Sequence, residues 1–164
     1  MDFSTAPHPL EADMPQTRRS SADFAKVPSQ LQAMMPAVGR LIHKDVLGSG
    51  VADDAAFSNT RRHLVRTVDL PTVALSMTLG GLEPGQATRK HRHSYETVIY
   101  VLQGTGVSVI ESEEVHWRQG DAFYVPPWAW HQHRNSSSTD AALYLACENA
   151  PMLQNLGAAQ REEA

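Results

Sequence analysis

Gly85-Gln-Ala-Thr-Arg-Lys-His91-Arg-His93-Ser-Tyr-Glu96-Thr97 and, further on, Gly120-Asp121-Ala-Phe-Tyr-Val-Pro126-Pro-Trp128-Ala-Trp130-His131-Gln-His133-Arg-Asn135 are the two stretches on which the reading of this chain turns. With the residues between them they hold five of its eight histidines. Side chains alternate across an extended strand, so a His-x-His pair presents both imidazoles on one face. The first pair, His91 and His93, predicts two ligands on one strand, and the second, His131 and His133, can add a third from a neighbouring strand. A metal pocket inside a small β-structure is the leading expectation.

The rest of the sequence frames that pocket. At 164 residues the chain reads as one domain able to bury its own core. A net charge of −4 with both signs interspersed points away from nucleic acid, which calls for a basic stripe. The single cysteine, Cys147, excludes an internal disulfide and a cysteine-based zinc site. It lies in a strand-like run, as expected of an inert packed thiol. No apolar run approaches the roughly 18 residues of a membrane span, and the N-terminus shows no signal-peptide pattern. The expectation is a soluble cytoplasmic protein with no membrane partner.

Residues 1 to about 40 are rich in Pro, Ser, Ala and Gln, and residues 1–58 read as an arm, partly disordered or packed on the barrel or a second subunit. Within it, Ser29 can cap a short helix reaching Met35. Residues 59–150 break into short β-type runs: Arg61–Asp69, Thr72–Leu79 ending at Gly80-Gly81, the His91/His93 segment, Thr97–Gln103, Gly106–Glu111, Glu114–Arg118, Ala122–Pro126, Trp130–Arg134 and Ala142–Glu148. Strands at spacings of roughly 8 to 12 residues predict an all-β sandwich or barrel. Residues 151–164 are expected to form one short helix and otherwise fray.

The two histidine stretches resemble the motifs of the cupin superfamily, small jelly-roll β-barrels. Gly85, His91, His93 and Gly104 stand at the intervals of that family's first motif, and Gly120, Pro126, His131 and Asn135 at those of its second. Trp128 occupies the position of the second-motif Gly. The resemblance implies a cupin-type jelly-roll barrel with metal held by His91, His93 and His131. The family's further ligand, a Glu, would fall on position 97, where this chain has Thr97. Glu96 is one residue early, and such a slip reverses the face of a strand side chain. Parity therefore puts Thr97 toward the pocket and Glu96 away from it, unless a bulge after His93 returns Glu96 to the site.

Three imidazoles without a carboxylate, followed by Trp128-Ala-Trp130-His131, resemble the gentisate-type ring-cleaving dioxygenases. That likeness implies Fe(II), bidentate binding of a hydroxylated aromatic and O2 beside it. The chain departs from those enzymes in being a single short cupin, and in having Ile99 where they carry an arginine for the substrate carboxylate. Imidazole also suits Zn, Mn, Ni and Cu. Further candidates are His133 and Glu96 as catalytic groups, and Thr97, Ile99, Arg89 and Trp130 as substrate contacts. His116 reads as a surface hairpin residue and Asn135 as a turn anchor. The expected function is a mononuclear metal enzyme, an Fe(II) dioxygenase of a small oxygenated, aromatic-type substrate. The alternatives are a non-catalytic ligand-binding or sensor cupin, and a Zn, Mn or Ni isomerase, lyase or hydrolase. Open sheet edges invite pairing, so a homodimer is expected.

Overall fold

Alternation of buried and exposed residues along short strands builds two sheets that enclose the histidines. The computed structural model describes residues 41–48 and 55–164. Most of the Pro-rich arm, including the segment read as a Ser29-capped helix, lies outside the described residues. A short helix α1 (Ala55–Arg61) leads into β1 (Leu64–Thr67) and β2 (Ser76–Leu82). Then follow β3 (His91–His93), β4 (Thr97–Gln103), β5 (Thr105–Ile110), β6 (Glu113–Arg118), β7 (Ala122–Val125), β8 (His131–Asn135) and β9 (Ala142–Glu148). Helix α2 (Ala150–Asn155) and β10 (Arg161–Glu163) complete the order.

The strands form two five-stranded sheets, β1-β2-β9-β4-β7 and β10-β3-β8-β5-β6, with every pair antiparallel. The first will be called the front sheet and the second the histidine sheet. Between them lies a core that includes Leu82, Ile99, Val101, Ile110, Trp117, Val125 and Tyr144. β4 shows the governing pattern: Thr97, Ile99 and Val101 are buried, while Val98 and Tyr100 are exposed. That is the alternation of a strand with one face on the core. The all-β jelly-roll expectation is what the two antiparallel sheets show.

Three local expectations need correction. Gly80-Gly81 does not end a strand: β2 runs through both to Leu82. The Tyr144 ring of the adjacent β9 lies where a Gly80 side chain would stand, so the glycine is there to admit an aromatic neighbour. Arg61 belongs to α1 rather than to the strand that follows, which begins only at Leu64. The segment after Pro151 forms its short helix but does not fray, because β10 zips onto β3 with Arg161 opposite His93 and Glu163 opposite His91.

The second-motif residues fix turns. Asn135, almost fully buried, donates through Nδ2 to the carbonyls of Leu82, Glu83 and Asp140 at 3.1, 3.1 and 2.8 Å. Trp128 adopts φ +63°, the left-handed conformation that a glycine takes freely, and its N–H donates to the His93 carbonyl. Among the described residues no helix is long and apolar enough to cross a membrane.

Candidate metal centre and its pocket

His91 and His93 lie two apart on β3, and His131 faces His91 directly across the β3–β8 pairing. All three are buried, and their potential ligand nitrogens lie within 4.8 Å of one another. Each imidazole is held in the same way. Nδ1 of His91 meets the Arg89 carbonyl, that of His93 the Tyr95 carbonyl and that of His131 the Ala129 carbonyl, each at 2.8 Å. A carbonyl can only accept, so each Nδ1 carries the proton and each Nε2 keeps its lone pair for a cation. The Tyr95 ring stacks on His93 at 3.9 Å between centroids and fixes its plane.

Electrostatics keep this set ready for a metal. Burial first, and the neighbouring His131 second, lower His91 to about 3 and His93 to about 4. Burial also lowers His131. The imidazoles are therefore neutral at physiological pH, the form that ligates. Three buried neutral nitrogen donors converging on one point fit a divalent metal and would leave further coordination positions open.

His133 stands apart although it shares the β8 face of His131. Its Nδ1 lies 2.7 Å from the Ser108 hydroxyl, which also accepts the Trp117 indole N–H at 2.9 Å. With Trp117 donating, the serine proton is free for His133, which then accepts at Nδ1. That is the opposite arrangement to the three ligand histidines. His133 lines the pocket but does not join the group of three.

The pocket opens between the sheets, with the three histidines on one side and Thr78, Gly80, Thr97, Ile99, Tyr144 and Glu148 of the front sheet on the other. Of the residues singled out from the sequence, His91, His93, His131, His133, Thr97 and Ile99 all line it. Glu96, Arg89 and Trp130 are not among them. Glu96 is exposed in the β3–β4 connection, its N–H donating to the Asn149 side chain. Arg89 precedes the strand, where alternation does not yet apply, and its guanidinium bonds Glu163 at 2.9 Å. Trp130 lies beneath the Arg92 guanidinium at 4.7 Å. His116 is exposed beside Glu114, and Cys147 is half-buried on the face of β9 turned away from Ala146 and Glu148.

Among the pocket groups to which no site role was attached are Arg61 of α1, Arg161 of β10, and Tyr144 and Glu148 of β9. The last two had a signal, since Ala142, Tyr144, Ala146 and Glu148 share one parity of a strand read correctly from the sequence. Arg61 and Arg161 had none, being brought in by pairing far along the chain. The Arg61 charge reaches His91, His93, Tyr95 and Glu148. Both arginines also pair with Glu163, at 3.6 and 3.4 Å.

Known proteins agree with this geometry. A family model described as Cupin domain matches residues 78–147. A 5-aminosalicylate 1,2-dioxygenase of Comamonas sp. is 40% identical over 95 residues, covering 58% of this chain and 24% of that protein. Gentisate 1,2 dioxygenase 1 of Aquipseudomonas alcaligenes is 36% identical over 67 residues, 40% of this chain and 19% of that one. The chain thus spans about a quarter or less of these curated relatives. Among solved structures, a salicylate 1,2-dioxygenase from Pseudoaminobacter salicylatoxidans with gentisate superposes with TM-score 0.58 at 20% identity, over 62% of this chain and 28% of that one. The matched segment contains all three ligand histidines but neither Arg61, Glu148 nor Arg161. Residues 78–147 form a cupin domain.

Proposed function

We propose that this protein is an Fe(II)-dependent dioxygenase of a small hydroxylated aromatic carboxylate. The observation that carries the reading is the buried trio His91, His93 and His131, with lone pairs converging within 4.8 Å. Relatives named as aminosalicylate, salicylate and gentisate dioxygenases support it. His91, His93 and His131 would hold the ferrous ion, which would supply a common point for substrate oxygens and O2 and a path for electrons between them. The protein's own contribution is binding and orientation. Val65, Ile99 and Ala146 offer apolar walls to a ring, and Arg61 and Arg161 place guanidiniums at the same pocket for its carboxylate. These arginines take the role for which Ile99 is chemically unfit.

The test is oxygen uptake by protein reconstituted anaerobically with Fe(II) and offered salicylate, 5-aminosalicylate and gentisate. Uptake coupled to loss of the aromatic absorbance is expected; a fully iron-loaded protein that consumes no O2 overturns the reading. A redox-silent zinc enzyme is the second reading, favoured by a donor set of three neutral imidazoles with no carboxylate among them. Zinc in protein purified without added metal, with no oxygen uptake, selects it. The proposal takes the active form as a homodimer, supported by the directly paired, exposed Val98 and Tyr124 on the outer face of the front sheet. Sedimentation equilibrium giving a monomer mass removes that part.

A further inference from the structure

The front sheet carries a carboxylate that the metal centre does not use. Glu148 lines the pocket from β9 and lies directly opposite Thr97 in the β4–β9 register. The Thr97 hydroxyl donates to Glu148 Oε1 at 3.3 Å. Position 97 is where a first-motif glutamate would fall, so the pocket keeps a carboxylate but takes it from the next strand. The other titratable groups facing it are Arg61 from α1, His63 from the α1–β1 connection, Tyr95 from the β3–β4 connection, Tyr144 from β9 itself, and, across the pocket, the histidines of β3 and β8 and Arg161.

These neighbours leave one anionic candidate for taking a proton. His63, its Nδ1 held by the Arg61 carbonyl, is a neutral base weakened first by burial and also by the Arg61 charge. His91, His93 and His131 present their lone pairs to the metal position, and His133 is bonded to Ser108. Tyr95 and Tyr144 are pushed up by burial, with the Glu148 charge adding to it, so both stay protonated. The arginines are permanent cations. Among the described residues, Glu148 is the sole carboxylate lining this pocket. Burial raises it above its ordinary value, against the Thr97 hydrogen bond and the Arg61 charge, which brings it closer to a working pH.

We propose that Glu148 is the general base of this site, accepting the proton of the substrate's ring hydroxyl as the substrate binds. This rests on the reading of the substrate as a hydroxylated aromatic acid. The O–H bond breaks heterolytically, the proton passes to a Glu148 carboxylate oxygen, and the electron pair stays on the substrate oxygen. Nothing is oxidised or reduced in the step. Thr97 is the positioning residue, its hydroxyl holding the carboxylate toward the cavity.

The experiment follows the proton in zinc-loaded protein, which cannot turn over by redox chemistry. The probe is 5-nitrosalicylate, whose visible absorbance reports ionisation of its hydroxyl. Wild type should bind it as the phenolate and release almost no proton to a weakly buffered solution. Glu148→Gln, which still accepts the Thr97 hydrogen bond, should release about one proton or leave the probe un-ionised. With iron, Glu148→Gln should lower kcat by about 100-fold, with KM changed less than about threefold, and remove the acid limb of the pH profile. Thr97→Val, which keeps the carboxylate but frees it, should lose about tenfold and serves if the first variant folds poorly. Ionised probe in both wild type and Glu148→Gln with equal proton release, and kcat within about threefold, overturns the proposal. Retention of the proton by wild type without oxygen uptake would uphold Glu148 and sink the dioxygenase reading instead.

Discussion

The two walls of the pocket are built in opposite ways. On the histidine sheet each ligand imidazole is fixed by a carbonyl two residues away along its own chain: Arg89 for His91, Tyr95 for His93, Ala129 for His131. On the front sheet Glu148 is placed by Thr97, a residue 51 positions earlier. The metal wall is therefore locally self-sufficient, whereas the opposite wall depends on the sheet register. A binding site can keep its ion-holding half in a short motif while its recognition half is reassembled from distant segments. Arg61 and Arg161, from elements outside the matched domain, are the extreme of that freedom.

The strongest way to break this contrast is to remove a ligand from the local wall. His131→Ala should abolish stoichiometric metal binding, read by elemental analysis after dialysis, while circular dichroism stays that of a β protein. The distant wall should respond selectively instead. Arg61→Leu should weaken salicylate binding by about 10- to 100-fold, the worth of one charge-assisted hydrogen bond, and leave catechol within about threefold. Equal losses for both ligands, read by isothermal calorimetry on zinc-loaded protein, would show that Arg61 does not recognise the carboxylate.

A smaller effect sharpens the difference between the two histidines of the second pair. Ser108→Ala strands the buried Trp117 indole N–H and leaves His133 Nδ1 without its donor. It should cost about 1–3 kcal/mol in urea unfolding yet leave metal stoichiometry intact. A loss of metal would move His133 into the coordinating set.

The smallest expected effect is a change in metal-free stability with pH, where the walls differ in sign. His91 and His93 stay neutral in the fold down to about 3 and 4, while the unfolded chain takes up their protons near the ordinary value of 6.5. Metal-free protein thus loses stability as pH falls from 7 toward 4, because the unfolded state binds more protons. Glu148 is raised in the fold, so its carboxylate is a cost above the unfolded value of 4.5, relieved as pH falls through its folded pKa. With at least two imidazoles against one carboxylate, Tm should drop between pH 7 and pH 5 by about 4 °C or more, measured by differential scanning fluorimetry. Glu148→Gln, lacking the relief, should show a steeper slope.

Legibility in the sequence followed the same division. The strands from Thr97 to Glu148 lie within a residue or two of their expected ends, because period-two burial is written into residues such as Thr97, Ile99 and Val101. The parity argument also placed Glu96 and Thr97 on opposite sides, as the structure has them. Parity failed where no strand exists to enforce it. Arg89 has the right spacing but precedes β3, and Glu163 of a strand far along the chain draws its guanidinium outward. The β10 strand itself is three residues of Arg and Glu, a composition that says nothing of pairing until β3 is there to receive it.

Gly80 carries a consequence for ligand size. Because the Tyr144 ring rests on its bare backbone, that ring sits as far back from the cavity as the sheet allows. An Ala at 80 would act as a piston, its methyl driving a stiff phenol toward the histidines and shortening the berth. The caliber of this site is thus adjustable by one atom on a strand that contributes no chemistry, a dial on which related chains can diverge in diet without disturbing the ion.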